Sequence, residues 1–174
     1  MTKSKGTEQI SDAQLLSELK EYLSYDPESG AFTWIKSPCY HIKNGRIANS
    51  RDKKGYIQIM LKGRYFLAHR LAWLFYYGLM PKDCIDHING VKFDNRICNL
   101  REATNAQNVQ NVTKPSRANK TGYLGVSWDN TNKKFKAVIS VNGRHKHIGR
   151  FTSAEEAYEA YLTKKREYHE FCTI

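Results

Sequence analysis

The sequence predicts an α+β protein built from two modules. Three observations carry this. Apolar residues recur at helical spacing over 15–23 and 69–77. Residues 56–61 and 134–141 alternate apolar with polar side chains, as half-buried strands do. Between the two patterned regions lies TKPSRANKT, residues 113–121, with no large apolar residue, one proline and several charges, which is a linker composition.

In order along the chain, Ser11 to Leu23 reads as a helix. Ser11 and Gln14 fit a capping box, and Leu15, Leu16, Leu19, Tyr22 and Leu23 share one face. Asp26-Pro27-Glu28-Ser29-Gly30 is turn chemistry, followed by a strand over Ala31–Ile35. Residues 36–54 are polar, basic and irregular. Tyr56–Leu61 and Tyr65–Ala68 form a hairpin around Lys62-Gly63-Arg64. His69–Tyr77 is a helix stopped by Gly78. Two short extended pieces follow within 84–104, then a helix from Thr104 to about Val112, where Thr104 and Gln107 make a second capping box.

Beyond the linker, Tyr123–Trp128, Lys134–Val141 and His145–Phe151 read as three strands. Asn142-Gly143 is a strong hairpin turn. A final helix runs from Thr152 to about Phe171, with Glu155 and Glu156 at its positive end.

The chain has 174 residues, and its 28 Lys and Arg against 17 Asp and Glu leave a net charge of +11. Such an excess points to a polyanionic partner, nucleic acid first. A 40% apolar share with 11 Tyr and 7 Phe is enough for small cores and excludes a disordered basic tail. No apolar run reaches the ~20 residues of a membrane helix. Met1–Gly6 is polar, unlike a signal peptide, so a cytoplasmic protein with no membrane partner is expected. The cysteines at 39, 84, 98 and 172 form no C-x-x-C pair. Cys39-x-His41 is half a zinc site without a visible second half, so idle thiols are expected.

The most informative stretch is Ile85-Asp86-His87-Ile88-Asn89-Gly90, then Asp94-Asn95, Asn99-Leu100-Arg101 and Thr104-x-x-x-Asn108, preceded by His69-Arg70-Leu71-Ala72. It resembles the HNH endonuclease family, whose fold is the ββα-metal motif, over roughly residues 25–112. The chemistry is intelligible in its own terms. Phosphodiester hydrolysis needs an activated water and stabilised phosphate charge. An Asp beside a His at a strand end can hold a divalent cation while the imidazole takes a proton.

The resemblance implies the roles. His87 is the general base, Asp86 the carboxylate ligand, Asn99 the central Asn that holds the loop orienting His87, and Asn108 the second ligand. Many family members carry His where Asn108 stands. Asn111, one helical turn on, is the reserve ligand. One divalent ion per site is implied, Mg²⁺ or else Mn²⁺, because the donors are hard oxygens. His69 is either part of the catalytic hydrogen-bond network or a buried structural histidine.

Residues 122–171 resemble the plant ethylene-response-factor (APETALA-type) DNA-binding domain, which also occurs joined to phage HNH nucleases. The matches are Gly125-Val126, Phe135-x-Ala137-x-Ile139, Ile148-Gly149-x-Phe151 and Thr152-x-x-Glu155-Glu156-Ala157-x-x-Ala160-Tyr161. The resemblance implies three antiparallel strands packed on one helix, the open sheet face entering the major groove. Ser127, Trp128, Lys134, Lys136, Ser140, Arg144, His145, His147 and Arg150 would meet DNA, with Trp128 equally able to sit in the core. From Lys114 to Arg150 there are nine basic residues and one acid.

The expected organisation is an HNH module over 1–112, with its ββα-metal core at about 56–112, a linker over 113–121 and a DNA-binding module over 122–174. The expected function is a metal-dependent, homing-type endonuclease of a bacteriophage that hydrolyses or nicks double-stranded DNA, as a monomer or a DNA-bound dimer. The alternative is a non-catalytic DNA-binding regulator on an inactive HNH scaffold. A plasmid-nicking assay with and without Mg²⁺ separates them. An RNA-binding factor is the weaker third reading, because no aromatic stacking motif of the usual RNA modules is visible.

Overall fold

A computed structural model describes residues 10–174. The polar segment Met1–Gly6 lies outside them. The chain divides into two compact units, Met1–His87 with Val91–Arg101, and Ile88–Gly90 with Glu102–Ile174. Mixed helices and small sheets make both α+β. No described helix is long and apolar enough to cross a membrane.

The first unit opens with α1 (Asp12–Lys20). The Ser11 hydroxyl accepts from the Gln14 amide and the Gln14 side chain accepts from Ser11 N–H, so the expected capping box is present. The helix is shorter than the periodicity predicts. It closes at Glu21, and Leu23 belongs to β1 (Leu23–Tyr25), paired antiparallel with β2 (Phe32–Trp34). Tyr22 lends its carbonyl to the Ile35 and Lys36 amides, so cross-strand pairing replaces the last helical turn. The apolar spacing persists because Leu19 and Leu23 enter one core from either element.

β3 (Gln58–Leu61) and β4 (Arg64–Leu67) form the expected hairpin around Lys62-Gly63, both at positive φ. Ile59 and Leu61 are buried in the same core as Phe32, Trp34 and the inner face of α2 (Ala68–Tyr77), namely Leu71, Ala72 and Leu74. Gly78 in the left-handed region ends α2. β5 (Cys84–His87) and β6 (Leu100–Ala103) form a third two-stranded sheet, joined through a 3₁₀ turn at Ile97–Asn99.

The turn at residues 26–30 closes against the loop before that 3₁₀ turn. Pro27 accepts from the Ile97 amide at 3.1 Å. Gly30 has φ +73, and a Cβ there would lie 2.4 Å from the Arg96 nitrogen and 2.5 Å from the Asn95 carbonyl carbon. Both the conformation and the close approach require glycine.

In the second unit, α3 (Asn105–Gln110) starts at the predicted capping box of Thr104 and Gln107 and ends sooner than the sequence suggests, at an Asn111 C-cap. β7 (Val126–Asp129), β8 (Lys134–Val141) and β9 (Arg144–Phe151) make a three-stranded antiparallel sheet. Its inner face, Val126, Ala137 and Ile139, packs on Ala154, Ala157 and Tyr161 of α4 (Ala154–Tyr168). The capping residue of α4 is Ser153, paired with Glu156. The helix stops at Tyr168, because the His169 ring turns to the Ser140 carbonyl at 2.8 Å and residues 169–174 leave the helix. Asn119 and Thr121, at the end of the expected linker, hydrogen-bond the carbonyl of Val126 and so belong to the sheet's edge.

Candidate active site

The side chains that could do chemistry in the first unit gather around β5. His87 ends that strand and is buried. Its ring centroid lies 5.1 Å from that of His69 on α2 and 5.9 Å from that of Tyr56, and Tyr56 is 5.2 Å from His69. His87 Nε2 is 3.3 Å from Asn95 Oδ1. An amide oxygen only accepts, so this contact is a hydrogen bond in the tautomer that carries its proton on Nε2. Burial pushes the His87 pKa below its ordinary value, against the opposing pull of Asn95, Asp86 and Asp94. The imidazole is therefore neutral at pH 7, the state a proton acceptor needs.

His69 is more strongly perturbed. Burial first, then the neighbouring His87 and Arg70, lowers its pKa to about 3. Its Nδ1 is buried without a hydrogen-bond partner, as is Asn95 Nδ2. His69 is thus a neutral ring, tilted against Tyr56 and edge-on to His87.

Asp86 precedes His87 on the strand and is buried. Arg101 on β6 donates to it from Nε at 2.8 Å and contacts it from Nη2 at 2.7 Å, both on Oδ2. Asn99 is buried, and its Nδ2 donates to the Asp94 carbonyl at 2.8 Å. That bond closes the loop one residue before Asn95, which reaches His87. The phenol of Tyr25 donates to the Asn95 carbonyl at 2.7 Å, so the same loop is pinned from two sides.

Asn108 lies half-buried on α3, in the second unit. Asn111, the reserve ligand, is buried, donating from Nδ2 to the Ile88 carbonyl at 3.3 Å and accepting at Oδ1 from Thr173 at 2.7 Å. Its amide is spent on structure, which leaves Asn108 as the α3 candidate. All four cysteines are free thiols, and among the described residues no cluster of three His, Cys, Asp or Glu side chains could hold a metal ion.

The sheet residues expected to meet DNA occupy β7–β9. Ser127, Trp128, Lys134, Ser140, Arg144, His145, His147 and Arg150 are exposed, and Lys136 is half-buried. Ser127, Lys136 and Arg150 form one cross-strand row, and Ser140 lies opposite His145. A register shift between Ala137 and Val138 places Val138 opposite His147. Trp128 is 45% exposed and meets Phe135 edge to face, so it is not a core residue. Arg150 is held by Asp129 at 2.9 Å, and that bond with those from Asn132 keeps the Asp129 carboxyl well below the usual range.

Residues 66–110 match the family model described as HNH endonuclease. The match spans His69, Asp86, His87, Asn95, Asn99 and Asn108. Protein 3.8 of Escherichia phage T7 is 26% identical over 104 residues, which are 59% of this chain and 85% of that protein. No solved structure matches. The chain thus carries a stretch similar to HNH endonucleases and has a distant phage relative. Sequence reasoning assigned no site role to Asn95, Arg101 or Tyr56. The first two stood inside the recognised motif, but Tyr56 lies outside the matched stretch and carries no local signal.

Proposed function

We propose that this chain is a metal-dependent endonuclease of the HNH type that hydrolyses or nicks a phosphodiester of duplex DNA. The observation that carries the reading is the buried, neutral His87 fixed by Asn95 next to the carboxylate of Asp86. His87 accepts a proton from water, the water oxygen attacks phosphorus, one P–O bond breaks, the departing oxygen takes a proton from solvent, and His87 returns its own proton to solvent. Asn99 keeps the 94–99 loop closed so that Asn95 holds the imidazole.

Asp86 and Asn108 would hold one divalent ion. A single carboxylate with a neutral amide oxygen is a hard, low-charge donor set that fits Mg²⁺ or Mn²⁺. Such an ion would neutralise charge on the phosphate and on the leaving oxygen. The second-unit sheet, read as an APETALA-type module, would hold the duplex through Lys134, Lys136, Arg144, His145 and His147, with Ser127, Trp128, Ser140 and Arg150 beside them. Functionally, residues 1–112 supply chemistry, 113–121 link, and 122–174 bind. The HNH match favours a nuclease and the T7 relative a phage source, and we read the enzyme as of the homing type on its likeness to phage HNH nucleases alone.

The Arg101 contacts on Asp86 favour a second reading, a non-catalytic DNA-binding regulator on an inactive HNH scaffold. Supercoiled plasmid separates the two. The endonuclease converts it to nicked or linear DNA with Mg²⁺ and not with EDTA. His87→Ala should slow that conversion by on the order of 10²–10⁴ with duplex affinity nearly unchanged. Cleavage that persists undiminished in EDTA, or in His87→Ala at neutral pH, refutes the mechanism.

A further inference from the structure

A second group of charges borders His87 in the same compact unit. Between Lys43 and Lys54 the chain carries five cations and one acid. That acid, Asp52, does not offset them outward. Its Oδ1 accepts from the backbone amides of Lys54 at 2.8 Å and Tyr56 at 2.9 Å, and its carbonyl accepts from Gly55, so its charge is turned into its own loop. Arg51, Lys53 and Lys54 are left exposed around it.

The loop at residues 91–93 locks onto this one. Lys92 Nζ donates to the Lys54 carbonyl at 3.1 Å and stands 5.0 Å from the Tyr56 ring centroid. The Arg51 guanidinium lies 3.9 Å from the ring centroid of Phe93. Arg51 is also bridged in antiparallel fashion to Ile57. Two otherwise mobile cations are therefore held in place before any ligand arrives, which lowers the ordering cost of binding. Tyr56 joins this rim to the centre described above, since its ring centroid lies 5.0 Å from Lys92 Nζ, 5.9 Å from that of His87 and 5.2 Å from that of His69.

We propose that Arg51, Lys54 and Lys92 form a clamp for consecutive backbone phosphates of the DNA strand presented to His87. The assignment rests on reading His87 as the reaction centre. Phosphates follow one another every ~3.4 Å along the axis of a strand, and Arg51, Lys54 and Lys92 stand on two loops joined by the Lys92–Lys54 and Arg51–Phe93 contacts, so one short strand segment can meet all three. Such contacts position the strand and carry no sequence information. The three clamp residues belong to the first unit and the β7–β9 sheet to the second.

The test is a salt titration of duplex binding by the full chain, using a labelled duplex of random sequence. Each phosphate contact contributes about −0.9 to the slope of log K against log salt, so Arg51→Ala/Lys54→Ala/Lys92→Ala should flatten it by about 2.7. Between about 50 and 200 mM salt, wild type should then lose roughly 40-fold more affinity than the variant does. The charge-preserving Arg51→Lys/Lys54→Arg/Lys92→Arg should keep the wild-type slope. If the alanine triple does not fold, Lys54→Ala and Lys92→Ala, both at exposed side chains, should each flatten it by about 0.9. Superimposable slopes for wild type and the alanine variants overturn the clamp, as does a charge-preserving triple that behaves like the alanine triple. Plasmid nicking by wild type reads the nuclease assignment separately. A clamp that fails beside intact Mg²⁺-dependent nicking leaves that assignment standing. A flattened slope without nicking keeps the clamp and removes the nuclease.

Discussion

Acid should destabilise this protein through His69, and the amount follows from its surroundings. In the unfolded chain the imidazole titrates near ~6.5. In the folded chain burial and the facing His87 lower its pKa to about 3. A group whose folded pKa is depressed contributes stability that is whole above the unfolded value and is lost as pH falls towards the folded one. The window is therefore from about 6.5 down to about 3. At one pKa unit per 1.36 kcal/mol, moving from pH 7 to pH 4.5 should cost on the order of 3 kcal/mol through this side chain alone. His87 titrates in the same direction, and the two rings 5.1 Å apart cannot both take a proton cheaply. The assay is urea unfolding of wild type and His69→Leu at both pH values. Carboxylates elsewhere affect both proteins alike, so the difference between the two pH losses isolates His69. If His69→Leu loses as much stability as wild type on acidification, the ring is not held neutral by burial and the reasoning fails.

Gly30→Ala should cost about 2–4 kcal/mol, from strain at φ +73 and from a Cβ driven into the Asn95–Arg96 backbone. Gly45→Ala, at φ +81 with nothing within 4 Å of the added carbon, should cost only the strain of about 1–2 kcal/mol. Urea midpoints check the pair, and Gly30→Ala should also slow nicking, because Asn95 moves with that backbone. Lys165→Ala should cost about 2–4 kcal/mol by leaving a cavity and an unpaired Val112 carbonyl, and Lys165→Met should recover the packing share. Equal losses for the two would mean that the stem contributes nothing. Lys134→Ala/Lys136→Ala/Arg144→Ala should weaken duplex binding and flatten its salt slope while single-turnover cleavage at saturating enzyme is unchanged. A collapsed rate at saturation would place sheet residues in the chemical step.

Local chemistry was the readable part of this sequence. Both capping boxes, the Lys62-Gly63 and Asn142-Gly143 turns and the Gly78 stop are decided by a few adjacent residues, and each is where the pattern puts it. The His87 neighbourhood was half readable. Asp86, His87, Asn95 and Asn99 stand in one recognisable string with Asp94 and Arg101, but the two tyrosines that complete the site do not. Tyr25 reaches the Asn95 carbonyl across 70 residues, and Tyr56 and His69 approach His87 from a loop and a helix with their own separate patterns. Leu23 failed for a related reason. Its apolar spacing fits a helix and equally a strand entering the same core, and only the pairing with Trp34 decides between them.

Lys165 shows what kind of signal was overlooked. Ala157, Tyr161 and Lys165 fall four residues apart and share the buried face of α4, so a lysine stands where the helical period calls for an apolar side chain. A buried ammonium is costly unless something receives it. Burial lowers its pKa, and its Nζ meets the carbonyl of Val112, just past the C-cap of α3. Gln110 accepts from the Phe171 amide and Asn111 accepts from Thr173, so three contacts bind the end of α3 to α4 and the tail beyond it. Asn111 in turn donates to the carbonyl of Ile88, the residue after His87 in the chain. An α3 of six residues, with no buried side chain within its span, is too short to hold its own position by helix propensity. Its direction, and with it the placement of Asn108, is therefore set by residues some sixty positions downstream, and the violated apolar period at Lys165 is the trace that this leaves in the sequence.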